Sequence, residues 1–349
     1  MTGRDSFLIH KDMHANATPR RANSGRSGPS SGATGAEPYR VAFLLIPGFA
    51  LMTYSCAMEP YRAANTLSGK ELYRWINISP DGKPVEASNG VAIVPDQGVE
   101  NPVAADEIFV CAGGNPAQFY DEAALAWLRA QSRRTSFIGG VAGGPFILAR
   151  AGLLEGYRCT VHWEYIPAFR ESFPRHSLRA TRFEIDRNRY TSAGGTAAFD
   201  MMLELIGRRH GRELMGAISE WFLHTRPGSS REPQRLSLPE RYGVTDPHVL
   251  AALEHLEGSL EDPIRRESLA RIAGISIRHL DRLFRARIGC TIGQHLQSLR
   301  LERARNLLRQ TSLSVLEVAV ASGFASSAHF SRAYRKRFGH PPRVERKLF

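Results

Sequence analysis

Between residues 39 and 210 the apolar positions switch repeatedly between a period of two and a helical period. The segment YRVAFLLIPGF predicts a short buried strand over 41–46, closed by Pro47-Gly48. YSCAMEPYRAANT predicts a helix over 54–66 in spite of Pro60. Strands follow at 73–79, at 107–114, where EIFVCAGG runs into two glycines, and at 136–144, where SFIGGVAGG does the same. Amphipathic helices are expected over 119–134 and 145–156, the second with Pro in its first turn and Gly after its end. Strand signals near 158–161 and 182–193 and a helix over 196–209 complete the series. Strands alternating with helices at this spacing predict an α/β fold: a mostly parallel sheet with helices on both faces.

The flanking segments read differently. Residues 1–38 are rich in Ser, Gly and Ala with little to bury, and are expected to be a disordered tail. Residues 226–247 hold four prolines and little apolar periodicity, which marks a linker between domains at 39–225 and 248–349. Beyond it the pattern is helical to the end. Two stretches there, about 267–288 and 314–337, each predict a helix, a glycine turn and a second helix. In the first, Leu269, Ile272 and Ala273 face inward, Gly274 turns the chain, and Ser276 caps a helix with Leu280, Leu283 and Phe284 inward. In the second, Val315, Val318 and Ala319 face inward, Gly323 turns, and Ser326 or Ser327 caps a helix with Phe330 and Tyr334 inward. The outward faces carry Arg278, His279, Arg282 and Arg285 in one unit and His329, Arg332, Arg335 and Lys336 in the other. A long amphipathic helix, IGQHLQSLRLERARNLLRQ, separates them.

Charge sharpens this division. The chain of 349 residues has a net charge of +12, yet residues 241–349 alone carry 19 basic and 10 acidic residues, a net of +9. Residues 39–240 carry 22 and 21. A near-neutral domain joined to a basic one fits a polyanion-binding module tethered to a second function. Helix-turn-helix units place their second helix in the major groove, and two on one rigid unit would address grooves ~34 Å apart. Arg and Lys supply phosphate contacts, and Arg can fork onto guanine. The candidate DNA-contacting residues are the eight above with Ser276, Ser326 and Ser327. Four cysteines, at 56, 111, 159 and 290, are too few for a disulfide scaffold and fit a reducing cytoplasm. No apolar run reaches the ~18–20 residues of a membrane span, and no secretory signal is read at the start, so no membrane partner is expected.

From RRESLARIAGIS to RKRFGHPPR the C-terminal stretch resembles the AraC/XylS-type DNA-binding domain, with Gly289, Arg300-Leu301, Leu307-Leu308, Gly323-Phe324 and Phe338-Gly339 among the matching positions. The resemblance implies an all-α domain with two helix-turn-helix units in a bacterial transcription regulator, usually an activator, that binds promoter half-sites and works with RNA polymerase.

SFIGGVAGGPFILARAGLLEG is the arrangement of a nucleophile elbow: a strand runs through small residues into a helix whose N terminus can stabilise an anion. It resembles the PfpI type of class I glutamine amidotransferase-like domain, which implies a flavodoxin-like parallel sheet. CAGG at 111–114 resembles that fold's glycine-rich loop. The pattern places a nucleophilic Cys at 142 and a His after it, but this chain has Ala142 and Gly143. Acyl transfer then lacks both its nucleophile and its adjacent base. Cys56 is the cysteine that could face the pocket, Cys111 and Cys159 read as buried, and His162 stands without metal-ligand spacing. The domain therefore reads as a sensor, with no catalytic residue, cofactor or metal. Its effector crevice is expected at the carboxyl ends of the strands, around Phe49, Glu59, Gly113, Gly114, Ala142, Gly143, His162, Trp163 and Glu164. The alternative is a cysteine-dependent amidase or protease-like enzyme tethered to DNA. Over the whole chain the pattern resembles the glycine betaine- and carnitine-responsive branch of GlxA-like regulators. That implies a quaternary amine effector, held by an aromatic face and a carboxylate. PfpI-like domains commonly pair, so a homodimer is expected.

Overall fold

A computed structural model describes residues 37–346, so residues 1–36 of the expected disordered tail lie outside the described part. The first half alternates as its pattern predicts: β1 (Tyr39–Leu45), α1 (Leu51–Ser68), β2 (Tyr73–Ser79), β3 (Val85–Glu86), β4 (Ala92–Ile93), β5 (Gln97–Gly98), β6 (Glu107–Ala112), α2 (Glu122–Gln131), β7 (Phe137–Ala142) and α3 (Gly144–Arg150). It continues with β8 (Arg158–Cys159), α4 (Ile166–Ser172), β9 (Ser177–Leu178), β10 (Phe183–Asp186), β11 (Arg189–Ser192), α5 (Thr196–His210) and α6 (Arg212–Trp221). α1 is longer than expected at both ends and runs through Pro60; Gly69 closes it at φ 64°. The helix expected over 145–156 stops at Arg150, because the chain turns at Gly152 with φ 75°. The strand signal at 182–193 resolves into the hairpin of β10 and β11.

Seven strands form one sheet in the order β10-β11-β7-β6-β1-β2-β5. Every pairing is parallel except that of β10 with β11. Alternate side chains of β1 fill the two faces: Ala42 and Leu44 pack with α2 and α3, while Val41, Phe43 and Leu45 pack with α1 and α5. β1 sits between β2 and β6, and the chain leaves β1 and β6 toward opposite faces. That divergence opens a crevice at their carboxyl ends, the usual ligand position of such sheets.

One buried charge stands out in this sheet. Glu107 is 1% exposed; the Tyr61 hydroxyl donates to its Oε2 at 2.7 Å, and its Oε1 has no partner among the described residues. Burial pushes its carboxyl from 4.5 to about 7, against the pull of Tyr61 and Arg209. A raised native pKa contributes stability that is complete below 4.5 and is lost as pH rises to about 7. Glu107→Gln is expected to flatten that decline and to raise stability at pH 8 by up to ~3 kcal/mol. Urea midpoints at pH 5 and pH 8 measure it; a wild-type midpoint that rises over this range contradicts the assignment.

The rest is helical: α7 (Leu238–Tyr242), α8 (Pro247–Gly258), α9 (Arg266–Ala273), α10 (Ile277–Ile288), α11 (Ile292–Gln310), α12 (Val315–Ala321), α13 (Ser327–Phe338) and α14 (Pro342–Glu345). The segment expected as a linker is not free chain. The Gln234 amide donates to Thr160 Oγ1, Val161 C=O and Thr181 C=O, and α7 starts on a capping box of Ser237 and Glu240. No helix among the described residues is long and apolar enough to cross a membrane.

Candidate nucleic-acid interface and elbow site

The first helix-turn-helix unit is α9 and α10. Gly274 closes α9 at φ 70°, and Ser276 Oγ accepts from the His279 N–H at 3.3 Å, which starts α10. Leu269, Ala273, Leu280 and Phe284 are buried. Ile272, expected inside, is 46% exposed, because the inward stripe of α9 runs through Ala270 instead. Arg278, His279, Arg282 and Arg285 all lie exposed.

The second unit is α12 and α13. Gly323 turns the chain at φ 78°, where a Cβ would stand 2.2 Å from the Leu260 carbonyl oxygen, so no other residue fits without moving the backbone. Ser326 Oγ accepts from the His329 N–H at 3.1 Å and is the cap; Ser327 is the first residue of α13. Phe330 and Tyr334 are buried, and His329, Arg332, Arg335 and Lys336 are exposed. Among the described residues no carboxylate pairs with Arg278, Arg282, Arg285, Arg332, Arg335 or Lys336, whereas their neighbours Arg266 and Arg337 pair with Asp281 and Glu302. Unpaired cations on one helix face are available to phosphates. Gly293 and Leu296 of α11 line a cleft that includes Arg285 and another that includes His329, so α10 and α13 both flank the N-terminal half of α11.

α13 is locked from below by a carboxylate. Glu345 is fully buried; the Tyr334 hydroxyl donates to its Oε2 at 2.7 Å, Arg305 and Arg309 donate to its Oε1 at 3.1 and 2.7 Å, and the His340 ring lies 3.3 Å away. Burial raises its pKa, but the Tyr334 hydroxyl and the two guanidiniums outweigh this and hold the carboxyl below its ordinary range.

In the sheet region, β7 enters α3 through Ala142 at φ 54°, one of three non-glycine residues with positive φ among those described. This is the strained turn of an elbow with a methyl where a nucleophile would stand. The turn fits only small residues. A Cβ on Gly144 would fall 2.1 Å from the Val110 carbonyl oxygen, and one on Gly194 2.8 Å from Ala142 Cβ. The Gly195 N–H donates to Thr53 Oγ1 at 2.8 Å, which puts Thr53 beside the elbow; its place on the buried face of α1 gave no signal in the sequence. Ala142→Val is expected to lower stability by ~2–4 kcal/mol, because a β-branched side chain is strained at positive φ and meets Gly194, while Ala142→Gly stays within ~1 kcal/mol of wild type. Urea unfolding of the two variants checks this, and equal loss in both contradicts it.

The expected crevice residues divide. Ala142, Gly143, Gly113 and the His162 backbone come together: the Gly143 N–H donates to Ala112 C=O at 3.0 Å, the His162 N–H approaches Ala142 C=O at 3.5 Å, and Gly113 packs on the Gly48 carbonyl. Gly114 lies exposed beside them, its C=O accepting from the Tyr165 hydroxyl at 3.1 Å. Phe49 is a correction. It is fully buried, bridging Ala87 and meeting Tyr54 edge-on, and offers no face to a ligand. Glu59 pairs with Arg62 one turn along α1. Trp163 and Glu164 point elsewhere, into a cavity shared with α8 and α11. Among the cysteines, burial pushes Cys159 up to about 12 and Cys111 higher still; Cys56 is half-buried, and its thiol is raised by burial and by Asp200. No cluster of three or more metal-ligating side chains occurs among the described residues.

The elbow touches the helical region. A Cβ on Gly143 would meet Pro116 at 2.8 Å, and Pro116 opens a short turn, Pro116–Gln118, that packs on α11. The Asn115 amide donates to Arg309 C=O on α11. Leu301, Ala304, Leu307 and Leu308 of α11 continue the hydrophobic core that contains Phe146 of α3 and Phe169 of α4.

Comparison with known proteins agrees with both halves. Residues 39–208 match the DJ-1/PfpI family and residues 269–347 a helix-turn-helix domain. The HTH-type transcriptional regulator GbdR of Pseudomonas aeruginosa is 46% identical over 311 residues, 89% of this chain and 85% of that protein. The HTH-type transcriptional regulator GlxA of Rhizobium meliloti is 42% identical over 304 residues, 87% and 94% of the two chains. A crystal structure of an AraC family transcriptional regulator from Pseudomonas putida aligns with a TM-score of 0.48 at 27% identity, over 53% of this chain and 100% of that one.

Proposed function

The chain belongs to the HTH-type transcriptional regulators that join a DJ-1/PfpI domain to an AraC-type helix-turn-helix region, and from that premise we propose that a small effector, bound without catalysis in the first domain, sets how the second engages promoter DNA. α10 and α13 read successive major grooves, with Arg278, His279, Arg282 and Arg285 on one and His329, Arg332, Arg335 and Lys336 on the other. Ser276, Ser326 and Ser327 start these helices at the DNA surface. The regulator works in the cytoplasm as a homodimer and an activator in contact with RNA polymerase.

The observation that carries the sensor reading is Ala142. A strained elbow that bears only a methyl supports a pocket kept for shape rather than for acyl transfer. The elevated thiol of Cys56 supports the same reading over an enzyme, since a thiol that resists ionisation is a poor nucleophile. The packing of Pro116 and Asn115 between elbow and α11 supports a route from pocket to reading helices. Quaternary amines such as glycine betaine and carnitine are the favoured effectors, from the resemblance of the whole chain to regulators that respond to them. A thermal-shift series tests this. A ligand at ~100 times its Kd adds ~2.7 kcal/mol to the native state. Glycine betaine or carnitine is expected to raise Tm and to change affinity for promoter DNA; no shift with either rejects the assignment of this effector class.

A further inference from the structure

Trp163 and Glu164 leave the elbow for a second space. A cavity of about 760 Å³ lies between α4, α8 and α11, within the size range of small-molecule sites and at the kind of junction where they concentrate. Trp163 is 39% exposed on its wall, and the Arg235 guanidinium lies 4.7 Å from its ring centroid. Glu164 and Glu171 also line the cavity, and neither has an ion-pair partner among the described residues. Gln234 Oε1 faces no hydrogen-bond donor. Five carboxylates line the cavity against the three guanidiniums of Arg170, Arg235 and Arg303, and this excess of negative charge, the aromatic face and the unfilled amide oxygen favour a positive ligand. The protein's own Arg235 occupies the aromatic face while also lying 3.7 Å from Glu257.

The cavity reaches the DNA-reading surface through one side chain. Glu302 of α11 lines it and pairs at 3.2 Å with Arg337, which follows Arg335 and Lys336 on α13. We propose that this cavity is a second ligand site in addition to the elbow crevice, and that its ligand is a small organic cation that displaces Arg235 from Trp163. The cation draws Glu302 toward itself and frees Arg337 for a phosphate. The proposal rests on the sensor reading above and adds to it a second site and a sign: ligand bound here strengthens DNA binding.

Calorimetry on the full chain, with glycine betaine and arginine as trimethylammonium and guanidinium probes, tests it. At least one probe is expected to bind the wild type. Trp163→Leu should weaken that binding about tenfold, as loss of a desolvated cation–π contact does. Arg235→Ala should tighten it, because the internal competitor is gone; a merely structural Arg235 would not do so. Glu302→Gln should mimic the liganded state, raising DNA affinity about two- to fivefold, the range of an exposed ion pair, and removing the further effect of ligand. Equal probe affinity in wild type, Trp163→Leu and Arg235→Ala overturns the location while leaving the sensor reading intact. Failure of both probes to bind the wild type overturns the cation class, and DNA affinity that no small molecule changes overturns the sensor reading with it.

Discussion

Arg282→Ala combined with Arg332→Ala is expected to reduce affinity for a specific duplex by at least ~30-fold while leaving the fold unchanged. Both side chains project from exposed faces of α10 and α13, and neither is tied to a carboxylate among the described residues. Nothing inside the protein is therefore lost with them. An arginine that forks onto a base is worth ~1–3 kcal/mol, and two in separate grooves act nearly additively. If either contacts phosphate instead, affinity falls uniformly across sequences and the slope of log K against log salt drops by ~1 per residue. Fluorescence anisotropy at several salt concentrations distinguishes the two cases for each arginine. Wild-type affinity in the double variant contradicts the assignment of α10 and α13 as reading helices.

Glu345→Ala is expected to cost ~3–5 kcal/mol, because removing one partner of a buried ionic cluster leaves the others uncompensated. Arg305, Arg309, Tyr334 and His340 all converge on this carboxylate, and Tyr334 is part of the inward face of α13. The second reading unit should loosen before the sheet domain does. Urea unfolding would then show an early transition, and binding to a two-half-site duplex would collapse to that of a single unit. The pH response gives an independent check. The lowered native pKa of Glu345 supplies stability that is present above its ordinary value of 4.5 and is lost as pH falls through the native value. Glu107 acts with the opposite sign and between 4.5 and about 7. Glu345→Ala should remove the acid limb and leave the decline toward neutral pH in place. An unchanged acid limb means the cluster is not what holds α13.

Local physics made most of this architecture legible in the sequence. α11 starts at Ile292 and ends at Gln310, the bounds of its amphipathic stretch, because a capping box at Thr291 and Gln294 begins it. Ser276 and Ser326 cap as read, since the cap residue and its N–H partner are three positions apart. The two-residue strands β3, β4 and β5 carried no usable period. α7 was hidden among the prolines of the expected linker, although Ser237 and Glu240 have capping-box spacing. The proposed effector region was the least legible part, for a geometric reason. Phe49, Trp163 and Ala142 lie close to glycine turns at the ends of strands or in the loop after them, but which way each side chain points depends on elements far away in sequence. Phe49 turns under Tyr54 and Ala87, and Trp163 turns toward Arg235, contacts that no local pattern records.

The most direct test of the account is selection of bound duplexes from a random-sequence pool by the full chain at ~0.15 M salt, where non-specific binding is screened. Two reading helices on one rigid support predict enriched sequences with two short motifs, centred ~10 bp apart on the same face of the duplex. A single enriched motif, or none, would contradict the claim that both helix-turn-helix units read DNA together.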